Sequence, residues 1–259
     1  MADAAVPARR EPPKFRRVFL TRTEELTPHM RRIVLGGAEL SGLAIDGPAG
    51  SVRLLLPPPR EDALVMPTWT GNQFELPSGA RAPIRTFTPR HFDDRRLELA
   101  IDVVLHDVGA ATDWARSAGP GSEAAVSGPG RSYQVDSNAD DYLLAGDETA
   151  IPAISQLLEA IPRTTRIRVE IEIGDPAARL ELPGHPGATV NWHERSSEAQ
   201  FGSTYGAVIE ALPVIPAAVW IAGEAAAVQR IRKHLFDVRG VERSAATIRG
   251  YWKSGRSAT

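Results

Sequence analysis

The stretch Leu143-Leu144-Ala145-Gly146-Asp147-Glu148-Thr149-Ala150-Ile151-Pro152-Ala153-Ile154 reads as a buried strand, a small-residue turn and the start of a helix. Tyr142 to Ala145 is apolar without alternation, the pattern of a strand covered on both faces. Gly146 permits a tight turn and close approach of a ligand. Thr149 is placed to cap the following helix. Pro152 falls in the first helical turn, where backbone N–H groups lack intrahelical partners in any case. Ile151, Ile154, Leu157, Leu158 and Ile161 recur at helical spacing and form one apolar face. A helix N-terminus pointing out of a parallel sheet suits a phosphate or pyrophosphate. By itself the stretch suits an ordinary strand-to-helix turn better, because the full glycine fingerprint of a dinucleotide site is missing.

The chain has 259 residues, room for one large or two modest domains. Its 42% hydrophobic and 24% charged residues are those of a soluble globular protein. A formal net charge of -2 gives no electrostatic case for nucleic acid. The absence of cysteine excludes disulfides, thiolate zinc sites, cysteine-ligated iron–sulfur clusters and thiol catalysis, and fits a reducing cytoplasm. Residues 1–14 lack the apolar segment of a signal peptide and read as a disordered tail. No window approaches the roughly 18 apolar residues of a membrane span. The expectation is a cytoplasmic monomer with no nucleic-acid or membrane partner.

From Phe15 to about residue 126 the pattern is short strands and turns: Phe15–Thr23, His29–Leu35, Ser51–Leu56, Ile84–Thr88 closed by Pro89, and Arg96–Leu105. In the last of these Leu97, Leu99, Ile101 and Val103 alternate with Glu98, Ala100 and Asp102. Some six strands with proline and glycine turns predict a small closed antiparallel barrel over 15–135. Gly109–Ser117 interrupts it as a short helix, and Gly128-Pro129-Gly130 marks the exit. Beyond Asp140 strands alternate with helices: Ala150–Ala160, Arg166–Ile173, Thr189–Trp192, Ser203–Leu212, Ala217–Ala222, a helix Ala225–Val238 with core face Val228, Ile231, Leu235 and Val238, and a last strand Ala246–Tyr251. That alternation predicts an α/β domain with a parallel sheet over 136–259.

Two places suit ligands. On the barrel, Arg85 offers a planar fork of donors for a diphosphate, and Phe87, on the same strand face, offers a ring for stacking. Thr88 can hydrogen-bond a heterocycle, and Gly109, Ala111 and Thr112 open a helix whose N–H groups suit a pyrophosphate. The same residues also suit an edge strand with surface arginines. The second place is the pair of turns Gly146–Thr149 and Gly223-Glu224, both beyond buried strands of the parallel sheet, where ligands bind in such folds. The six histidines show no metal-ligand spacing, so no metal site is expected.

Five motifs occur in order: Arg85-x-Phe87-Thr88-x-Arg90, Val104-Leu105-His106, Ala145-Gly146-Asp147-Glu148-Thr149-Ala150-x-Pro152-Ala153-Ile154, Ala222-Gly223-Glu224, and Gly250-Tyr251-Trp252-Lys253-x-Gly255. Together they resemble siderophore-interacting proteins, flavin-dependent ferric-siderophore reductases of the ferredoxin-reductase superfamily. The resemblance implies an FAD-binding barrel followed by an NADH- or NADPH-binding α/β domain. By position, Arg85, Thr86, Phe87, Thr88, His106, Val108, Gly109, Ala111 and Thr112 correspond to the FAD set. Gly146, Asp147, Glu148, Thr149, Gly223 and Glu224 correspond to the nicotinamide side. No side chain is implied as a catalytic residue, since the flavin carries electrons from nicotinamide to a ferric chelate. Phe87 stands where tyrosine is usual, and the loop after Val108 lacks a usual proline. An anionic ferric siderophore needs a cationic mouth, for which Arg131, Arg249 and Lys253 are the candidates. Two alternatives share these residues: a flavin reductase feeding another protein carrier, and a siderophore binder without catalysis. NADH and NADPH are not distinguished, with Arg168, Arg179 and Arg195 all candidates for a 2′-phosphate partner.

Overall fold

The computed structural model describes residues 14–255 apart from 59, 60, 62, 72, 107 and 108. The tail expected over 1–14 lies outside the described residues except for Lys14. The first half contains strands β1 (Phe15–Thr27), β2 (Met30–Gly36), β3 (Val52–Leu55), β4 (Thr68–Trp69), β5 (Phe74–Glu75), β6 (Ile84–Phe87), β7 (Pro89–Asp93) and β8 (Glu98–Val104), then helix α1 (Ala110–Ser117) and strand β9 (Glu123–Ser127). Seven of them form an antiparallel sheet in the order β6-β3-β9-β1-β2-β8-β7, and β4 pairs with β5 separately.

Strands β6 and β7 end that order on opposite sides, yet Thr88 alone separates them in the chain. The sheet curls so that its two ends meet at this corner instead of along a closing ladder. Pro89, expected to end a strand, opens β7. Among the described residues that strand pairs only with β8, so the N–H that proline lacks removes no second ladder bond. Val18, Leu20, Ile33, Leu35, Leu54, Leu99, Ile101, Val103 and Val126 fill the interior. Leu97 departs from the expected alternation: it lies in a turn with φ +52° and is only partly buried, so β8 begins at Glu98 and not at Arg96.

The second half runs β10 (Asp141–Asp147), α2 (Ile151–Ala160), β11 (Arg166–Ile173), β12 (Ala188–Glu194), α3 (Ser203–Glu210), β13 (Ala218–Glu224), α4 (Ala225–Lys233) and β14 (Ala246–Trp252). All five strands are parallel, in the order β12-β11-β10-β13-β14. The order reverses at β10, which places the crevice beyond the ends of β10 and β13. The α2 face Ile151, Ile154, Leu157, Leu158 and Ile161 is buried as its spacing predicts, while α3 and α4 cover the other face through Tyr205, Ile209, Val228 and Ile231. The last helix departs from expectation. After Lys233 it widens into a π-turn over His234–Val238, which shifts the phase of the residues that follow. Leu235 stays buried, but Val238 turns out to 70% exposure.

The halves meet through the loop before β3. Ala49 is buried in the core of the second half, with a left-handed backbone at φ +52°. Its N–H donates to Gln156 Oε1 at 2.9 Å, and Gln156 Nε2 donates to the Pro89 carbonyl at 2.7 Å. Arg90 pairs with Glu159 at 2.6 Å. These contacts press α2 against β7 and fix the seam on which both candidate sites open.

Candidate functional site

Asp147, at the end of β10, organises the mouth of the parallel sheet. Its Oδ1 accepts the Thr149 N–H at 3.0 Å and also the Thr149 hydroxyl. Its Oδ2 accepts the Glu224 N–H at 2.9 Å and the Trp252 Nε1–H at 2.8 Å. One carboxylate, 2% exposed, thus ties together the ends of β10, β13 and β14. Burial pushes its pKa up to about 6, although these hydrogen bonds pull it down. The cap expected from Thr149 is supplied by Asp147, which closes the 3₁₀ turn Glu148–Ala150 ahead of α2.

The other acids of the mouth are also engaged by the protein. Glu224 caps α4: its Oε2 accepts the Ala226 and Ala227 N–H groups at 2.7 and 2.9 Å, and its Oε1 accepts the Ser254 N–H at 3.2 Å. Glu148 Oε1 accepts the Gly174 N–H at 2.6 Å. Packing requires glycine at 146, since a Cβ there would lie 2.2 Å from the Ala222 carbonyl oxygen and 2.5 Å from the Ala150 Cβ. At Gly223, φ +155°, a Cβ would stand 2.7 Å from Asp147 Oδ2, so glycine makes room for the carboxylate.

On the barrel side, β6 alternates: Arg85 and Phe87 share one face and the exposed Thr86 takes the other. Arg85 Nη1 donates to the Ile84 carbonyl at 3.0 Å. Burial, then the charge of nearby Arg81, pulls the Arg85 guanidinium below the ordinary arginine range. A guanidinium in this setting suits an anion such as the diphosphate of FAD. The helix α1 starts at Gly109, φ +156°, with open space where a Cβ would stand. Thr112 is buried and its Oγ1 accepts the His106 N–H at 3.2 Å, so it fastens the end of β8 to α1. Ala111 and Phe87 pack partly against the barrel core. Val108 lies outside the described residues.

The two sides touch. Thr88, at the β6–β7 corner, lies beside the Tyr251 phenol, whose pKa burial raises. The Trp252 ring lies 6.1 Å from the His106 ring, tilted by 35°, and 4.7 Å edge-on from Phe201. Tyr251, Trp252 and Phe201 carried no role in the sequence reading. For the first two a signal existed, because the Gly-Tyr-Trp motif ends a strand at the ligand edge of a parallel sheet. Of the expected cations, Arg131 and Lys253 are exposed. Arg249 instead bridges the halves, with Nη1 3.3 Å from the Ala49 carbonyl and 3.4 Å from that of Arg131. A groove of about 1000 Å³ lined by Arg32, Arg90, His91, Phe92, Gln156 and Glu159 opens beside the far end of α2 and contains none of these residues.

Comparison with known proteins gives this geometry a family. Residues 19–133 match the siderophore-interacting FAD-binding domain and residues 139–255 match the siderophore-interacting protein model. The chain belongs to the siderophore-interacting protein family. It is 33% identical to a siderophore utilization protein from T. fusca, with a TM-score of 0.82 and 96% of each chain covered. It is 36% identical over 251 residues to an uncharacterized protein of Mycobacterium tuberculosis, covering 91% of this chain and 89% of the other. It is also 29% identical to the NADPH-dependent ferric-chelate reductase of Escherichia coli, covering 92% and 93%. The curled sheet of this siderophore-interacting protein is therefore an FAD-binding domain, as the five sequence motifs imply. Among the described residues no helix is long and apolar enough to cross a membrane.

Proposed function

We propose that this protein is a cytoplasmic, monomeric, FAD-dependent NAD(P)H oxidoreductase that reduces Fe(III) in a ferric siderophore and so releases Fe(II). One observation carries the reading. Thr88 and His106 of the barrel meet Tyr251 and Trp252 at the ligand edge of the parallel sheet. A flavin held by Arg85, Phe87 and Thr88 and a nicotinamide entering between the ends of β10 and β13 are thereby neighbours. Bound FAD supplies the exchange between a two-electron hydride and single electrons. The side chains hold and orient: Arg85 with Arg81 meets the diphosphate, the start of α1 offers backbone N–H groups, and Asp147 fixes the Trp252 indole at the seam. Arg131 and Lys253 give the seam an exposed positive rim for an anionic chelate. Hard anionic oxygen ligands hold Fe(II) less tightly than Fe(III), so reduction frees the metal. The name of the Escherichia coli relative supports the same chemistry.

The test is anaerobic turnover of FAD-loaded protein with NADPH or NADH, a ferric siderophore and a ferrous chelator. Charge balance requires two Fe(II) trapped per nicotinamide oxidised. The loaded protein is expected to absorb near about 370 and 450 nm, as a bound oxidised flavin does. A protein that takes up no FAD, or that reduces a ferredoxin-like acceptor but no ferric siderophore, overturns the proposal.

A further inference from the structure

The aromatic contacts at the seam continue away from the barrel. From His106 the line passes to Trp252, then to Phe201, and ends on Arg195, whose guanidinium carbon sits 4.2 Å over the Phe201 ring. Arg195 follows β12 directly, and its N–H donates to the Ile173 carbonyl at the end of β11. It therefore stands at the ligand edge of the sheet, at the end remote from the flavin side. Its side chain is 13% exposed and firmly held. Nη1 donates to the Ser196 and Ala199 carbonyls, both at 3.0 Å, and Nε lies 3.4 Å from Glu172 Oε1. Glu172 is itself occupied by the Gly202 and Thr204 N–H groups and the Thr204 hydroxyl. None of the hydrogen bonds of Arg195 among the described residues uses Nη2, which faces Gly174, 3.7 Å from where a Cβ would stand. Glycine at 174 keeps that approach open.

The other two arginines with a claim to the same role are placed differently. Arg168 is the third residue of β11 and pairs with the buried Glu170. It lies about 20 Å from Gly174 along the strand, toward the wrong end of the sheet. Arg179 is spent on Glu194 at 2.7 Å in an exposed pair. Glu148, hydrogen-bonded to the Gly174 N–H, faces the same approach and opposes an anion there, so the contest at this spot is between Glu148 and Arg195.

We infer that Arg195 reads the adenosine 2′-phosphate through Nη2, making the protein selective for NADPH over NADH. The inference rests on the nucleotide-binding reading of the sheet edge given above. A nicotinamide at the Trp252 end of the line leaves the adenosine half to reach Phe201 and Arg195. A guanidinium fixed by three other contacts meets a phosphate with little ordering cost, and charge-assisted hydrogen bonds of this kind are the strong ones.

The test uses the FAD-loaded full chain and two fragments, 2′,5′-ADP and 5′-AMP, titrated calorimetrically. Wild type is expected to bind 2′,5′-ADP about 10- to 100-fold tighter than 5′-AMP. Arg195→Ala is expected to remove that difference while leaving 5′-AMP within about 2-fold, and Arg195→Lys to retain part of it. Arg179→Ala is expected to leave both unchanged. Steady-state kcat/KM for NADPH against NADH moves in parallel. Should Arg195→Ala fail to fold, the wild-type ratio and the lysine variant still decide. Equal binding of the two fragments by wild type overturns the inference. So does loss of both fragments together in Arg195→Lys, which marks a structural role, or a selectivity that follows Arg179. No ferric chelate enters the titration. Selective fragment binding without iron reduction therefore breaks the proposed function and spares this inference, and iron reduction without selectivity does the reverse.

Discussion

The barrel edge and the mouth of the parallel sheet treat charge in opposite ways. At the barrel edge Arg85 and Arg81 are like charges near each other, and burial already disfavours the Arg85 cation. At the mouth Asp147, Glu148 and Glu224 are like charges too, but backbone donors engage each of them and the Trp252 indole also donates to Asp147. In the first, burial and a like charge disfavour a cation; in the second, donors from the protein already hold the acids. On the proposed function, the barrel edge meets its ligand through charge, whereas the mouth of the parallel sheet offers backbone groups and rings. Positive charge on that side stands at the edges, in Arg195 and Lys253.

The largest effect to expect is on the barrel. Arg85→Ala removes the guanidinium proposed to meet the diphosphate and should weaken FAD binding by about 2–4 kcal/mol, roughly 30- to 1000-fold. Flavin fluorescence during titration of the flavin-free protein measures it. Arg85→Lys should recover only part, because a point charge replaces a planar fork. A barrel variant that keeps its flavin at wild-type affinity would erase the contrast between the two sides.

At the mouth the expected effect is on stability. Asp147→Asn puts an NH2 group where only donors wait, leaving a buried donor unsatisfied at a cost of about 1–3 kcal/mol. The pH dependence sharpens the assignment. Burial raises the folded pKa of Asp147 to about 6 from its ordinary value of 3.8. Between these two values the folded chain holds the extra proton, so the contribution of Asp147 to stability falls as pH rises from about 4 to 6 and is flat outside that window. A shift of this size corresponds to about 3 kcal/mol. Denaturation of wild type and Asp147→Asn across pH 4 to 7.5 should show the difference between them changing in that window. A constant difference would show that Asp147 does not titrate there.

Much of the second half was legible because its signals are local. A strand covered on both faces is uniformly apolar, as in Tyr142–Ala145, and a helix packed on one face repeats its apolar residues, as from Ile151 to Ile161. The barrel corner was not legible: Pro89 reads as a terminator, and only the pairing of β7 with β8 alone makes it acceptable. In the site, the partner of each side chain depends on segments far apart in the chain. Asp147 and Trp252 are 105 positions apart, and Arg249 and Ala49 are 200. Glu224, expected on the nicotinamide side, caps α4, and a carboxylate at a strand-to-helix turn serves either purpose equally well by sequence.

Smaller effects separate residues that join the two sides from residues that face outward. Tyr251→Phe removes the phenol hydroxyl beside Thr88 and should cost about 1 kcal/mol, seen as a lower melting temperature with FAD affinity nearly unchanged.

The smallest effect concerns the cationic rim. Arg249 donates to two carbonyls that belong to the barrel half and its exit, so Arg249→Ala should act on the seam and lower stability along with turnover. Arg131 and Lys253 are exposed, and their pairing with an anionic chelate is screened by salt. Lys253→Ala and Arg131→Ala should each raise KM for an anionic ferric siderophore by about 2- to 5-fold, with kcat and melting temperature unchanged. The difference should vanish above about 0.5 M salt, where the Debye length falls well below 10 Å. A KM effect in Arg249→Ala with unchanged stability, or none in Lys253→Ala at low salt, would reverse the division between bridging and rim cations.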